Sequence, residues 1–367
     1  MVKILVIDDE PTSVQPMMDL LSGEGDNNIK LCDFVQAETE IYSFQPDVII
    51  LDLKKTGEQP PELTGNKSID SIWKSKFCPI IIYSALPESL AIGEWSDHPF
   101  VGIVKKGSGS PQQVKEELDR LKDHLKALQE TQVKVRDSLN ESFRKVAPQV
   151  FVELSDPKER KDAVLRSARR RLAASMDTPT DNLASWEAYI YPPFPEHAYL
   201  GDLLQAKDTP IIPSNFSLVL TPTCDLASYP GRKPKVKEVL VAECIAIKDG
   251  IDNILTKMQM KPTESALLID KFDKLVLTQG YYMEYIPIPG LRSRIPPMMV
   301  DLKRLHMIPI EKIGIKGSGK DFIRVASLDN PFRNFISWAY MQSACRPGLP
   351  DRDVAAWKDE IKREYTK

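Results

Sequence analysis

The sequence predicts an α/β chain: a doubly wound parallel domain at the N-terminus, a long helical connector, and a β-rich C-terminal domain closed by helices. Three observations predict it. Four short, almost wholly apolar runs (residues 2–7, 48–51, 80–83 and 101–104) recur in the first 110 residues, each ending in polar or charged groups. Between them stand stretches with helical spacing, such as Val14, Met17, Met18 and Leu21. Beyond about residue 197 the runs change character and are punctuated by proline and glycine. Continuous apolar strands alternating with helices indicate a parallel sheet covered on both faces.

Length and composition bound the rest. A chain of 367 residues predicts two to three domains, at roughly 150 residues each. Forty-nine Lys and Arg against 52 Asp and Glu give a net charge of −3, which excludes a strongly basic nucleic-acid coat. With 42% hydrophobic and 28% charged residues the composition is that of a soluble globular protein. The longest apolar stretches fall far short of the roughly 18 to 20 residues that a membrane span needs. The first apolar run meets Asp8, Asp9 and Glu10 directly, leaving no room for a signal-peptide core, so a cytoplasmic location is expected. Five widely spaced cysteines (Cys32, Cys78, Cys224, Cys244, Cys345) with no C-x-x-C pair read as reduced thiols.

In doubly wound sheets the reactive groups gather beyond the carboxyl ends of the strands. Asp8 and Asp9 follow the first run, Asp52 the second, Ser84 the third, and Lys105 and Lys106 the fourth. Three carboxylates packed together repel one another, and a hard divalent cation such as Mg²⁺ offsets that cost while binding phosphate oxygens. The constellation reads as a phosphoryl-transfer site.

The segments that carry it, Ile4-Leu5-Val6-Ile7-Asp8-Asp9-Glu10, Asp47-Val48-Ile49-Ile50-Leu51-Asp52-Leu53, Pro79-Ile80-Ile81-Ile82-Tyr83-Ser84-Ala85 and Gly102-Ile103-Val104-Lys105-Lys106-Gly107, resemble the receiver domains of two-component response regulators over about residues 1–125. The resemblance implies a five-stranded, flavodoxin-like domain. It also implies that Asp52 takes phosphoryl from a histidine kinase or phosphotransfer protein, that Asp8 and Asp9 hold Mg²⁺ together with Asp52, that Ser84 bonds the phosphoryl oxygens, and that a lysine neutralises them. Aligning Gly102 and Gly107 to the family pattern selects Lys106 over Lys105 for that cation. The same alignment puts Ile103 where the family usually carries a switching aromatic, and Lys55 and Thr56 where Met-Pro is common, with the next matching glycine, Gly65, arriving late. An enlarged loop beside the site is therefore expected.

From Val114 the apolar residues Leu118, Leu121, Leu125, Leu128, Val135 and Leu139 follow a heptad-like spacing. This predicts a long helix that either pairs with a second copy, giving a homodimer through residues 114–143, or packs on its own chain. Seven Lys or Arg against two acids between residues 158 and 171 describe a basic helix. With no helix-turn-helix after it, nucleic acid is possible but disfavoured. The expected domains are residues 1–112, a connector 113–185, and an output domain 186–367.

The output domain reads as a small antiparallel barrel or sandwich. Strands are expected at 217–220, 239–247, 275–277, 281–288, 298–302 and 322–325, and helices at 331–343 and 351–365, with the Pro287-Ile288-Pro289-Gly290 stretch at an edge or turn. Tyr281, Tyr282 and Tyr285 are candidates for an interaction surface. Cys224 beside Asp225, with His197 or His306 as base, is a candidate nucleophile, and a metal site of Cys224, Cys244 and a histidine is less favoured still. The resulting reading is a response regulator that switches a C-terminal interaction domain. Its alternatives are a non-switching scaffold and a receiver-regulated enzyme using Cys224.

Overall fold

A computed structural model of the chain describes residues 2–23, 27–53, 64–85, 95, 98–176, 184–195, 197–270, 284–345 and 354–366. They group into two compact units, residues 1–179 and 180–367. The expected loop residues Lys55 and Thr56, the strand at 275–277, Tyr281, Tyr282 and the first three residues of the helix expected at 351–365 lie outside the described residues.

The first unit is built from β1 (Lys3–Ile7), α1 (Pro11–Gly23), β2 (Asn28–Cys32), α2 (Ala37–Phe44), β3 (Val48–Leu51), α3 (Thr64–Ser75), β4 (Ile80–Ser84) and β5 (Val101–Lys105), followed by α4 (Ser110–Glu153) and α5 (Pro157–Met176). All five strands are parallel, in the order β2-β1-β3-β4-β5. Side chains alternate across the strands and fill two cores. Ile4, Val6, Ile50, Ile81 and Tyr83 face α1 and the start of α4, while Leu5, Ile7, Ile49, Ile80 and Ile82 meet Ile41, Ile69 and Ile72 on the other face. β2 carries no apolar run in the sequence because it is an edge strand, and its Asn28, Lys30 and half-buried Ile29 and Leu31 read as loop.

α4 spans 44 residues. Leu118, Leu121 and Leu125 of its heptad-like seam are buried in the core of their own domain, so the first half of the seam is used within the chain. Further along, Gln132 Nε2 donates to the Phe77 carbonyl, and α5 packs back along α4, burying Ser142 and Ala168. The helices expected as a connector thus cluster with the first unit.

The second unit contains β6 (Tyr189–Ile190), β7 (Asp202–Ala206), β8 (Phe216–Val219), α6 (Thr223–Leu226), β9 (Glu238–Ile245), α7 (Ile247–Lys257), α8 (Ser265–Asp270), β10 (Tyr285–Ile288), β11 (Met298–Pro309), β12 (Ile313–Gly314), β13 (Phe322–Leu328), α9 (Phe332–Ala344) and α10 (Val354–Tyr365). The strands form one mostly antiparallel sheet, β10-β11-β9-β8-β7-β13-β12, with β6 added to β13. β11 runs on to Pro309, well past the expected end at 302. The ladder to β9 shifts register between Asp301 and Leu305 and then resumes, so the charged Lys303 and Arg304 mark an irregularity and not a strand end. Pro287 sits in the edge strand β10, where a missing donor costs no ladder bond. One face buries Leu203, Leu218, Cys244 and Val300 against α9, and the other buries Leu204, Val219, Val241 and Ile308.

Candidate functional site

The strand ends of the first unit converge. β1 delivers Asp8 and Asp9, β3 delivers Asp52, β4 ends at Ser84, and the turn after β5 brings in Lys106. Carboxylate oxygens of Asp8, Asp9 and Asp52 lie within 4.8 Å of one another. Lys106 Nζ donates to Asp8 Oδ2 at 2.7 Å, to Asp52 Oδ2 at 2.9 Å and to Ser13 Oγ at 3.2 Å. The remaining oxygens are held by the backbone: the Glu10 N–H donates to Asp8 Oδ1 at 2.8 Å and the Leu53 N–H to Asp52 Oδ1 at 2.7 Å. Asp52 therefore turns one oxygen into the strand end and the other into the acidic cleft. Ser84 is buried, and its carbonyl accepts the Lys106 N–H at 2.9 Å.

Burial raises the Asp8 carboxyl above its ordinary value, and the Lys106 ammonium and the Glu10 N–H pull it back only in part. Burial by itself would lower the Lys106 ammonium. The bonds to Asp8 and Asp52 and their charges together outweigh that and hold it above the usual lysine range. Among the described residues the Lys106 ammonium bonds two of the three acids, in a cleft of hard oxygen donors. Such a donor set suits Mg²⁺, which binds through carboxylates while keeping positions for phosphate oxygens.

Three residues that sequence reasoning did not single out complete the cluster. Ser13 of α1 reaches Lys106, and the Tyr83 ring lies 5.5 Å from Lys106 Nζ. The Tyr83 and Ser110 hydroxyls are 2.7 Å apart and buried, and Ser110 Oγ also accepts the Gly107 N–H. Tyr83 was hidden inside an apolar run and Ser110 lies outside every motif of the sequence, so no local signal separated them from packing residues. Lys105 ends β5 with an exposed side chain, and it is Lys106 that enters the cleft. Ile103 packs beside the α2–α3 core.

A curated relative, the transcriptional regulatory protein BtsR of Salmonella typhimurium, is 27% identical over 107 residues, which are 29% of this chain and 42% of the relative. The first unit has the fold of a response-regulator receiver domain. BtsR of Salmonella typhi matches to the same extent, and the chain spans under half the length of these curated relatives. No family model matches the chain. Among solved structures, a chain from the complex of histidine kinase ThkA with response regulator protein TrrA is 26% identical, with 33% of this chain and 98% of that one covered and a TM-score of 0.28. The response regulator domain of Thermotoga maritima CheB is 21% identical, with 34% and 97% covered and a TM-score of 0.28.

The second unit does not assemble the other candidate. Cys224 is exposed on α6, 3.7 Å from Asp225 Oδ1, while the His197 ring stacks on Tyr199 with centroids 4.4 Å apart and His306 Nδ1 lies 3.8 Å from Glu243. Cys244 is buried in the sheet, where burial pushes its thiol upward and away from the reactive thiolate. Tyr285 is buried in β10 and offers no surface. No helix among the described residues is long and apolar enough to cross a membrane.

Proposed function

We propose that the chain is a two-component response regulator whose receiver is phosphorylated on Asp52 by a histidine kinase or phosphotransfer protein. The observation that carries this reading is the single ammonium of Lys106 shared between Asp8 and Asp52 at the carboxyl edge of a parallel sheet. An Asp52 carboxylate oxygen attacks the phosphorus of a phosphohistidine; the P–O bond forms as the P–N bond breaks, and the imidazole leaves and takes up a proton. Asp8, Asp9 and Asp52 would hold Mg²⁺, which supplies neutralisation of the phosphoryl oxygens as charge spreads over them. Lys106 exchanges its bond to Asp52 for one to a phosphoryl oxygen, and the Ser84 hydroxyl donates to another.

The new double negative charge pulls on Lys106, and the next residue, Gly107, is tied to Ser110 in the first turn of α4. Tyr83, beside Lys106 and bonded to Ser110, supports a route from the site to the long helix that does not use an aromatic at position 103. Only differential contacts in the two states can shift the equilibrium, and Lys106 with its neighbours supplies them. The homodimer expected through residues 114–143 falls to the exposed part of that span, Val133 first, because Leu118, Leu121 and Leu125 are already buried.

Intact mass after incubation with Mg²⁺ and a small-molecule phosphodonor tests the reading. A gain of one phosphoryl group in the wild type that vanishes in Asp52→Ala is expected. The absence of any gain, also with cognate kinase, overturns it in favour of a non-switching scaffold.

A further inference from the structure

A second site of different chemistry lies in the C-terminal unit. Between the turn after β7, the hairpin at residues 290–295 and the segment joining β12 to β13 is a cleft of about 670 Å³. That size suits a small organic ligand. The half-buried Ile315, Ile323 and Val325 give it an apolar floor, and the exposed Ile211 and Pro192, with Pro193, add to its apolar lining. Its lining carries four cations, the buried Arg324, which is paired with Asp202, and Lys207, Arg294 and Lys316, and one acid, Asp208, which lies 3.7 Å from Lys207. Among the described residues Arg294 and Lys316 have no carboxylate partner, and both are exposed at the mouth. The Arg294 guanidinium lies 4.9 Å from the centre of the Tyr191 ring.

Hydrogen bonds brace the turn and the hairpin that form the walls. Gln205 Nε2 donates to the Thr209 carbonyl at 3.0 Å and the Thr209 hydroxyl to the Ala206 carbonyl at 2.6 Å, while Leu291 and Ile295 close the hairpin through reciprocal backbone bonds. An apolar floor by itself would favour a neutral guest, and lysines by themselves would be a solvated face. Here both line one cavity, and a guanidinium is the cation that also stacks on flat rings.

The geometry points to a binding site for a flat-ringed organic anion of the nucleotide class, its ring against the Arg294–Tyr191 pair and its phosphate between Lys207 and Lys316. The site goes beyond the receiver reading and does not depend on it, since none of its residues belongs to the first unit.

Calorimetric titration of the full chain in the presence of a chelator tests it, the chelator keeping the acidic cluster from recruiting phosphate through metal. The probes are adenosine and guanosine 5′-monophosphates, inorganic phosphate and a short single-stranded RNA. Mononucleotide binding is expected to persist in Asp52→Ala and to weaken at least about tenfold in Arg294→Glu and in Lys316→Glu, a change of about 1.4 kcal/mol. Both variants alter exposed side chains and should keep the wild-type melting curve; Tyr191→Leu supplies an independent loss of the ring contact. Silence of both mononucleotides at millimolar concentration overturns the proposal, as does binding that ignores the Arg294 and Lys316 substitutions. Inorganic phosphate binding as tightly as the nucleotides would remove the ring from it. RNA binding without mononucleotide binding would replace it with a nucleic-acid surface.

Discussion

Each unit buries an aspartate against a cation, and the two pairs are built to opposite ends. In the first, Lys106 is shared among Asp8, Asp52 and Ser13 at the open edge of a parallel sheet, with Asp9 adding a third negative group. In the second, Arg324 Nε donates to Asp202 Oδ2 at 2.6 Å inside an antiparallel sheet. Asp202 also accepts the Ser327 hydroxyl and the Tyr199 N–H, and the pair is 3% and 0% exposed. The inner pair matches one charge to one charge and satisfies the carboxylate with neutral donors. The outer cluster gathers three carboxylates at the open edge of the sheet. A cluster at an open edge can exchange its partners for a ligand, whereas a pair inside a sheet holds two strands together, even with Arg324 Nη2 left buried without a partner among the described residues.

Removing one partner of the inner pair should give the largest effect. Arg324→Met leaves Asp202 in the sheet without its counter-charge and is expected to cost about 3–5 kcal/mol, read by urea unfolding of the C-terminal unit. The pair Asp202→Leu with Arg324→Met should restore most of that loss; equal losses in single and double variants would mean that shape, not charge, holds the site. The outer cluster should be more forgiving because it is partly solvated, with Lys106 15% exposed. Lys106→Met is expected to destabilise the receiver by about 2 kcal/mol in chelator, as an uncompensated charge does at an intermediate site. Excess Mg²⁺ should recover part of this, while phosphoryl acceptance at Asp52 falls sharply.

Tyr83→Phe sharpens the comparison at the next level down. It deletes one buried hydroxyl contact, worth about 1 kcal/mol, and should leave phosphoryl uptake intact. The amide exchange of the first turn of α4 should then stop responding to phosphorylation; an undiminished response would exclude the Tyr83–Ser110 contact as the route. The smallest effect concerns pH. Burial raises the Asp8 carboxyl in the folded state, so between its ordinary value and its folded value the native protein holds more protons than the unfolded chain. Stability of the metal-free receiver is therefore expected to fall as pH rises through that window. Asp8→Asn should flatten the slope of stability against pH.

The receiver was legible because its chemistry is written at strand ends. A buried parallel strand must be continuously apolar, and the residue that follows it must emerge at the carboxyl edge; Asp8, Asp52 and Ser84 were thereby placed without any knowledge of packing. The edge strand β2 was not legible, since Asn28 and Lys30 alternate with residues that are only half-buried. In the C-terminal unit short runs such as residues 217–220 located strands, but the neighbours of each strand were not encoded locally. The continuation of β11 beyond Lys303 and Arg304 depends on β9 accepting the shifted register, which no window of sequence contains.

By itself, then, the sequence determined an α/β domain whose acids, hydroxyl and lysines stand at strand ends, a long helix after it, and a β-rich remainder. These follow from burial alone, which fixes side-chain period along a strand or helix. The tertiary structure decided that Tyr83 and Ser110 join the acidic cleft to α4, that the first half of the heptad-like seam is used within the chain, and that Asp202 and Arg324, 122 residues apart, meet inside the sheet. Each of these is a contact between segments distant in sequence, and charge or hydroxyl groups are paired by where the backbone delivers them and not by what precedes them in the chain.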